Sequence, residues 1–334
     1  MKFGVQVNCY GTSWDRIRAS IEAMEKGPWD SLWFADHLLP PVSDDKVKPN
    51  LEREQGTAFE GYTLIAVAAG MTRKLRLGHL VLGNPYRNPG LLAKMAATLD
   101  QASEGRFTLS LGAGWFDREH VAYGWGTFPT MRELSDRLEE SCGLIRRLFT
   151  ADGPVTHHGR YYRLEQAPLS PGCYQEPHVP ILVGGTGEQR TLRTLAKYGD
   201  IMNYDGWAGR GMSIEVFRHK VSVLERHCEA VGRDPAEIKR SLLMPLVITD
   251  DPAAVERSKQ FFGRRANTRY GNYAGRLMEA QEVEAAVGSL NEVIDLIGRF
   301  ADEGVDEIMF GAIPTGDVEA LQRVEQDVVA VFSR

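Results

Sequence analysis

The stretch LNEVIDLIGRFADEGVDEIMF, residues 290–310, contains a helix followed by a strand and indicates the fold of the chain. Its apolar side chains recur at helical spacing, at Leu290, Val293, Ile294, Ile297 and Phe300. Gly304 is expected to end this helix, because glycine readily adopts the left-handed backbone found just past helix ends. Glu307–Phe310 then form a short, largely apolar strand. An amphipathic helix that leads into a buried strand is the repeating unit of α/β proteins.

The same alternation runs along the whole chain. Short apolar runs predict eight strands, near Phe3–Val7, Ser31–Ala35, Leu75–Leu82, Phe107–Leu111, Ile181–Val183, Ile201–Asn203, Ser241–Ile248 and Glu307–Phe310. Amphipathic stretches predict eight helices, near Trp14–Lys26, Tyr62–Thr72, Gly90–Gln101, Met131–Thr150, Glu188–Tyr198, Ile214–Val231, Ala253–Phe262 and Leu290–Glu303. Eight βα units favour a closed (β/α)8 TIM barrel, in one domain over residues 1–334. A doubly wound sheet is the alternative, but no GxGxxG motif follows the first strand.

Three longer segments interrupt the repeat: Leu39–Gly61, Ala151–Pro180 and, roughly, Gly263–Gly288. Long excursions in a barrel usually lie over the carboxyl ends of the strands, where active sites form. We therefore expect insertion loops at the C-terminal face. The first and third of these loops are expected to line a substrate site.

Composition excludes several classes of protein. The net charge of −6 provides no basic field for nucleic acid or for an anionic membrane surface. No apolar run approaches the roughly 18 residues of a membrane span, and the first residues, MKFGVQVN, resemble a strand rather than a signal peptide. The four cysteines are far apart and form no CxxC pair, so neither a metal site nor a disulfide framework is indicated. We expect a cytoplasmic protein that acts on a small molecule.

The first candidate site residues, Asp36 and His37, follow the predicted second strand. An imidazole at the mouth of a barrel can donate to an anionic oxygen or transfer a proton near neutral pH. Asp36 could instead cap the following loop while His37 packs locally. The spacing alone leaves both interpretations open.

The third and fourth predicted strands add further candidates. His79 lies between Gly78 and Gly83, and glycines within a strand indicate a bulge or a close backbone approach. A histidine in this position is nevertheless more often a core residue than a ligand contact. The fourth strand leads into Gly112-Ala113-Gly114-Trp115, where small residues would let a flat ring approach the backbone and Trp115 could form a wall. His120 follows and could reach a phosphate, although strand-end glycines also commonly form turns.

The fifth predicted strand runs into Gly184-Gly185-Thr186-Gly187, directly before a predicted helix. Successive glycine amides at a helix N-terminus can bind a phosphate, helped by the helix dipole. The alternative is a βα turn in which Thr186 caps the helix.

These stretches resemble the luciferase-like monooxygenase superfamily, particularly its branch of oxidoreductases that depend on the deazaflavin coenzyme F420. Five ordered blocks carry the resemblance: Asp30–His37, Arg76–Pro89, Leu92–Asp100, Gly112–Trp115 with Glu119-His120, and Pro180–Gly185. The resemblance implies hydride transfer between F420 and an organic substrate, with the ring at the barrel mouth. An FMN-dependent monooxygenase that uses reduced flavin and oxygen is the alternative. A non-catalytic flavin-binding barrel is disfavoured by the retained Asp36, His37 and His120.

The resemblance also implies roles for individual residues. Asp36 and His37 match the pair that faces the ring, and we expect both to be catalytic. A non-prolyl cis peptide bond that backs the ring is expected at Leu80-Val81. The expected cofactor-binding residues are Asp36, His37, His79, Leu80, Val81, Gly112, Ala113, Gly114, Trp115, His120, Gly184, Gly185, Thr186 and Gly187. Trp115 stands where some sugar-oxidising relatives carry Glu, which argues against oxidation of a sugar phosphate. A homodimer formed by helices on one flank of the barrel is implied as well.

Overall fold

The computed structural model describes residues 1–40, 56–185, 187–206, 213–266 and 286–332, with the side chains of residues 263–266 left out. Its strands, in chain order, are β1 Lys2–Gln6, β2 Ser31–Phe34, β3 Arg76–His79, β4 Leu82–Gly83, β5 Leu109–Gly112, β6 Val155–His158, β7 Arg163–Ala167, β8 Ile181–Gly184, β9 Ile201–Asp205, β10 Lys239–Ile248, β11 Ala286–Gly288 and β12 Glu307–Gly311. Each of the eight predicted strands is present, with ends shifted by a few residues.

These strands form a parallel barrel. Hydrogen-bonded neighbours follow the order β3-β2-β1-β12-β10-β9-β8-β5-β4. Because β3 and β4 are separated only by Leu80 and Val81, they share one position in the barrel. A parallel bridge between Leu77 and Phe107 joins β3 to the residues before β5 and closes the circle. The predicted (β/α)8 barrel is confirmed.

The helices lie between the strands in sequence, except that the last two follow β12. They are α1 Trp14–Lys26, α2 Gly61–Met71, α3 Pro89–Ala102, α4 Asp117–Ala122, α5 Met131–Thr150, α6 Thr191–Tyr198, α7 Ile214–Val231, α8 Pro252–Ala266, α9 Leu290–Asp302, α10 Val318–Val324 and, after a π-helical turn over Glu325–Val329, α11 Ala330–Phe332. The sequence patterns did not predict α4, α10 or α11. The helix predicted from Glu188 begins later, at Thr191.

Helix α9 shows how the pattern that opened the sequence analysis becomes structure. Ser289 and Glu292 form a capping box at its N-terminus, which satisfies amide groups that the first turn leaves unpaired. Val293, Ile297 and Phe300 are buried, and burial of each such side chain contributes roughly 1.5–3 kcal/mol. Gly304 has a φ of +80°, so it ends the helix in the left-handed conformation, as predicted.

The second insertion forms an antiparallel hairpin of β6 and β7. Glu140 of α5 accepts hydrogen bonds from the backbone amides of Tyr161 and Tyr162, which fastens the hairpin turn to the helix. The hydroxyl of Tyr162 contacts the Asn84 amide at 3.1 Å, directly after β4. The hairpin therefore reaches the carboxyl ends of the barrel strands, as expected for this insertion.

The other two insertions are described only at their edges. In the third, α8 continues to Ala266, and β11 pairs in parallel with the end of β10, Leu246 opposite Ala286. Residues 41–55 and 267–285, where the predicted substrate loops fall, lie outside the described residues. Across the described chain, no helix is long and apolar enough to span a membrane, and no group of three His, Cys, Asp or Glu side chains is arranged to hold a metal ion.

Candidate active site

A histidine–carboxylate pair lies at the carboxyl end of β2. His37 follows this strand, and its Nδ1 is 3.0 Å from Oε2 of Glu119, a residue of the short helix α4. The Glu119 side chain has no exposed surface, whereas 17% of the His37 side chain is exposed. The carboxylate thus supports the imidazole from inside, and the imidazole faces outward.

Glu119 is surrounded by hydrogen-bond donors. Its Oε1 accepts from the amides of Leu38 and Leu39 at 2.5 and 2.9 Å, and its Oε2 accepts from the Tyr86 hydroxyl as well as contacting His37. Burial and the neighbouring Glu119 carboxylate raise the pKa of Tyr86, which keeps its phenol protonated and able to donate.

These contacts determine the tautomer of His37. An ionised carboxylate only accepts hydrogen bonds, so Nδ1 of His37 carries the hydrogen that it shares with Glu119. In the neutral ring Nε2 is then a lone-pair acceptor, and it makes no hydrogen bond to any described residue. The site presents one nitrogen that can accept or return a proton.

Aromatic rings surround the exposed part of His37. Trp115 and Phe116, which follow β5, meet its ring edge-on, with centroid distances of 5.1 and 5.7 Å. They also stack on each other at 5.0 Å. Tyr10, which lies beyond β1, is 6.2 Å from the imidazole on a tilted plane. Trp115 therefore lies beside the catalytic candidate, where the sequence analysis expected a wall.

Asp36 lies deeper than the sequence predicted. Its side chain has no exposed surface, and it binds Arg87 with two hydrogen bonds, of 2.7 and 2.9 Å. Oδ2 also accepts from the Gly83 amide at 2.9 Å. These donors hold its carboxylate inside the protein, and the expectation that Asp36 touches a cofactor ring stays a prediction. Its hydrogen bond to the Gly83 amide fixes the end of β4.

Glu60 is the second partner of Arg87 and also caps helix α2. Its carboxylate accepts from the Arg87 guanidinium and from the amides of Tyr62 and Thr63. Although burial opposes the change, the hydrogen bonds of Thr63 and Tyr62 and the charge of Arg87 lower the pKa of Glu60. The chain Asp36–Arg87–Glu60 therefore connects the end of β2, the residues after β4 and the start of α2.

His79 is a core residue. Its imidazole has no exposed surface, stacks on Tyr62 with centroids 5.4 Å apart and meets the edge of Phe107 at 6.2 Å. Burial lowers the pKa of His79 to about 4, so the ring is neutral at physiological pH. Its side chain lies between other aromatic rings, and the prediction that His79 binds a cofactor stays a prediction.

The bulge between β3 and β4 is the feature that the resemblance described most accurately. The peptide bond Leu80-Val81 is cis, as expected, and the Gln6 side chain donates to the Leu80 carbonyl at 3.1 Å. The Val81 side chain lies between the ends of β5 and β8: a Cβ on Gly112 or on Gly184 would fall 2.7 Å from a Val81 methyl group. These two glycines leave room for Val81, and their expected contact with a cofactor stays a prediction.

The predicted phosphate cradle is only partly described. Gly114 and Gly185 have φ values of +87° and +110°, which glycine adopts without strain. A Cβ on Gly187 would meet the Thr191 hydroxyl at 2.9 Å, and Thr186 lies outside the described residues. Because α6 begins only at Thr191, the glycines precede the helix by several residues, and the predicted direct junction with its N-terminus is corrected.

His120 faces away from His37, although it follows Glu119 directly. It is 5% exposed and packs against Trp125 and Phe128, at centroid distances of 5.8 and 5.5 Å. Burial lowers the pKa of His120 as well. Successive residues of a helix point in different directions, and here the first, Glu119, faces the site. That His120 reaches a phosphate stays a prediction.

Sequence reasoning did not assign roles to Glu119, Tyr86 or Arg87. Glu119 and Arg87 stand in blocks that carry the family resemblance, but they lie 82 and 51 residues from their partners His37 and Asp36. No local pattern reports a contact across such a separation. These pairings form only in the folded barrel, because it brings the ends of β2, β4 and β5 together.

A (β/α)8 barrel with a carboxylate-supported histidine at the carboxyl ends of its strands has the arrangement of an enzyme. The sequence matches the family described as luciferase-like monooxygenase over residues 2–307. The chain belongs to this family and is an oxidoreductase.

The relatives include proteins that depend on F420 and proteins that depend on FMNH(2). The chain is 27% identical over 329 residues to an F420-dependent glucose-6-phosphate dehydrogenase of Kineococcus radiotolerans, covering 94% of this chain and 91% of that protein. It is 29% identical over 209 residues to an FMNH(2)-dependent dimethylsulfone monooxygenase of Pseudomonas putida, covering 59% and 55%. Among solved structures, an F420-dependent secondary alcohol dehydrogenase in complex with an F420-acetone adduct superposes with a TM-score of 0.79 at 22% identity, covering 99% and 98%. This last likeness concerns the fold.

Proposed function

We propose that the protein transfers a hydride between coenzyme F420 and an organic substrate whose oxygen exchanges a proton with His37. The observation that carries the proposal is the buried Glu119 carboxylate, which holds His37 with Nε2 directed away from it at the barrel mouth. The F420-dependent relative from Kineococcus radiotolerans, which matches nearly the whole chain, supports the choice of cofactor.

The residues at the mouth fit a flat ring. Val81 occupies the space above two glycines, so the strand ends present an apolar floor with no bulky side chain from Gly112 or Gly184. Ala113 and Gly114 keep the neighbouring strand end small, and Trp115 stands at its side. Val81, Gly112 and Gly184 would lie beneath the ring, and Trp115 would border it. When bound, F420 supplies the hydride acceptor or donor.

The protein's own groups handle the proton. In the oxidation of an alcohol, Nε2 of His37 accepts the hydroxyl proton as the hydride leaves the carbon; in the reverse direction the imidazolium returns it. Glu119 stabilises the imidazolium and keeps the ring oriented, as carboxylates do when they accept from the second nitrogen of a catalytic histidine. The rings of Tyr10, Trp115 and Phe116 shield His37 from water, which strengthens its electrostatic contact with Glu119.

FMN-dependent oxygenation is the second candidate, and the relative from Pseudomonas putida favours it. The same barrel would serve both chemistries, so the cofactor must be distinguished by turnover. We expect that the protein mixed with F420 and an alcohol without oxygen will reduce the deazaflavin, seen as the loss of its visible absorbance. Product formation that requires reduced FMN and consumes oxygen, with no F420 reduction for any alcohol or carbonyl compound tested, would establish the alternative.

A further inference from the structure

Two donors share one oxygen of the Glu119 carboxylate. Its Oε2 lies 3.0 Å from Nδ1 of His37 and also accepts a hydrogen bond from the Tyr86 hydroxyl. The other oxygen, Oε1, accepts separately from the amides of Leu38 and Leu39. Tyr86 and His37 therefore draw on the charge of the same oxygen, although they reach it from different elements of the barrel mouth.

Neighbouring residues hold the Tyr86 ring in place. Tyr86 ends the 3-10 turn Asn84–Tyr86, which follows β4 directly, and its ring stacks on Trp125 with centroids 4.8 Å apart. A Cβ on Gly83 would lie 2.7 Å from a carbon of this ring, so the ring packs closely against that backbone. Burial and the Glu119 carboxylate raise the pKa of Tyr86, so its hydroxyl keeps its proton and donates it to the hydrogen bond.

The charged groups behind His37 are paired with one another. Arg87 is bound by both Asp36 and Glu60. These two carboxylates also accept hydrogen bonds from backbone amides. Among the described residues, Glu119 is therefore the one carboxylate in direct contact with the imidazole.

The rings that surround His37 are uncharged. Trp115 and Phe116 do not ionise, and they meet the imidazole edge-on. Tyr10, just beyond β1, lies 6.2 Å from it, and burial raises the pKa of Tyr10, which keeps its phenol neutral. The Tyr10 hydroxyl is buried and makes no hydrogen bond to any described residue.

The remaining ionisable groups nearby do not act on the imidazole directly. In α4, Asp117 and Arg118 are engaged in contacts of their own, and His120 faces the other way. Next to β1, burial raises the pKa of the Cys9 thiol to about 11, so this group is neutral as well. The charge that Glu119 directs at the ring is therefore the main local influence on its protonation.

We propose that Tyr86 is a positioning residue that determines how strongly His37 holds a proton. This inference rests on the proposed function, in which Nε2 of His37 exchanges a proton with the substrate. The Tyr86 hydroxyl draws charge from the Glu119 oxygen that faces the imidazole. Without this donor the same oxygen would stabilise the imidazolium more strongly, because an opposite charge nearby favours the charged form. Tyr86 thus keeps His37 able to release its proton as well as to accept it.

An NMR titration of the full-length protein without cofactor tests this role. The Cε1–H signal of His37, assigned by its absence in His37→Ala, is followed as the pH is changed. Tyr86→Phe keeps the aromatic ring beside Trp125 and removes only the donor. The midpoint of the His37 titration should therefore move upward by about 0.5–1 pH unit.

Two further variants make the result specific to the hydroxyl of Tyr86. Tyr123→Phe is the matched control, because Tyr123 also lies beside Trp125, at 5.9 Å, but its hydroxyl donates to the Leu38 carbonyl. This control should leave the midpoint unchanged. Replacement of Tyr86 by 3-fluorotyrosine, whose hydroxyl is a stronger donor on a ring of nearly the same size, should move the midpoint downward.

A double substitution tests whether Tyr86 acts through Glu119. In the Glu119→Gln background, Tyr86→Phe should no longer move the midpoint, because the two residues are coupled through one contact. In the unmodified background, the acid limb of kcat/KM for F420 reduction should move upward with the midpoint, since only the neutral ring accepts the substrate proton.

An unmoved midpoint in Tyr86→Phe would overturn the inference, as would a shift of equal size in the Glu119→Gln background. The NMR titration needs no cofactor, so this outcome is separable from failure of the proposed function, which is measured by whether F420 is reduced. If F420 is reduced and the midpoint does not move, the proposed function stands and the role of Tyr86 is wrong.

Discussion

At the residue scale, the contact between His37 and Glu119 determines how the site handles a proton. Glu119 accepts four hydrogen bonds, and one of them orients the imidazole. The pair resembles the histidine–carboxylate arrangement of hydrolytic triads, in which the carboxylate fixes the tautomer without taking part in bond formation. His37 is therefore the catalytic residue of the proposal and Glu119 a positioning residue.

Replacement of His37 tests the first of these roles. His37→Ala should leave the fold intact, since its side chain is partly exposed at the barrel mouth. The rate of hydride transfer should fall by about a hundredfold or more, the usual loss when a positioned acid–base group is removed. Single-turnover kinetics would measure the change, and a rate equal to that of the unmodified enzyme would remove His37 from the mechanism.

Glu119→Gln tests whether Glu119 positions His37. Glutamine is of similar size but presents an amide to His37, so the preferred tautomer is lost and kcat should fall about tenfold, while the Kd for F420 stays within twofold. Glu165→Gln is the matched control, because Glu165 contacts His158 at 2.7 Å on the exposed hairpin. A parallel loss of cofactor affinity and kcat in Glu119→Gln would indicate a structural role instead.

Only one residue of the His37–Glu119 pair could be predicted from the sequence. The position of His37 directly after a strand is a local property, and the sequence predicts it. Its partner depends on where β2 and β5 lie in the closed barrel, and their separation along the chain hides the contact. For Asp36, the sequence predicted the position at a strand end correctly. It did not predict the partner of the carboxylate, because Arg87 comes from a distant segment of the chain.

At the scale of elements, the bulge after β3 connects three strands. Val81 lies against Gly112 of β5 and Gly184 of β8, so the shape of the mouth depends on both glycines. The barrel elements themselves were predicted well, because each alternates between an apolar strand and an amphipathic helix. Helix α4 was missed because its six residues are too few to show a helical period.

The bulge yields a prediction about packing. Gly184→Ala places a methyl group 2.7 Å from Val81, closer than real Cβ contacts, so either Val81 or the strand must shift. We expect a loss of about 1–3 kcal/mol in unfolding free energy, as for other overpacked sites, together with weaker F420 binding. Urea denaturation and cofactor titration measure the two effects.

A second substitution in the same bulge tests whether the contact with Val81 causes the loss of stability in Gly184→Ala. Val81→Ala combined with Gly184→Ala should recover most of the lost stability, since neighbouring substitutions that share a contact are not additive. Gly298→Ala in α9 is the control, because its Cβ meets nothing within 4 Å and alanine favours a helix. If the double variant is no more stable than Gly184→Ala alone, the contact with Val81 does not limit the site.

At the scale of the whole molecule, the buried His79 links stability to pH. Its pKa is lowered to about 4, whereas the unfolded chain has the ordinary value of 6.5. Between these values the unfolded state binds more protons, so stability is fully present above pH 6.5 and is lost as the pH falls toward 4. A shift of this size corresponds to about 3 kcal/mol.

We therefore expect the unfolding free energy to decrease between pH 6.5 and 4.5, and His79→Phe to flatten this dependence. Phenylalanine keeps an aromatic ring beside Tyr62 and Phe107 but binds no proton. Urea denaturation at a series of pH values gives both slopes. Identical slopes for the two proteins would mean that His79 is not the titrating group.

Other properties of the whole molecule follow less directly from this chain. The homodimer that the resemblance implies and the cytoplasmic location stay predictions. The fold could be predicted because the βα period repeats throughout the chain. The cofactor could not, because the relatives include both an F420-dependent and an FMNH(2)-dependent protein.

The most direct test of the central claim is a fluorescence titration of the full-length protein with F420 and with FMN under the same conditions. The proposed function predicts saturable F420 binding at micromolar or lower concentration and FMN binding at least tenfold weaker, because the hydride-transfer site must select the deazaflavin. Tight binding of FMN with no binding of F420 would contradict it.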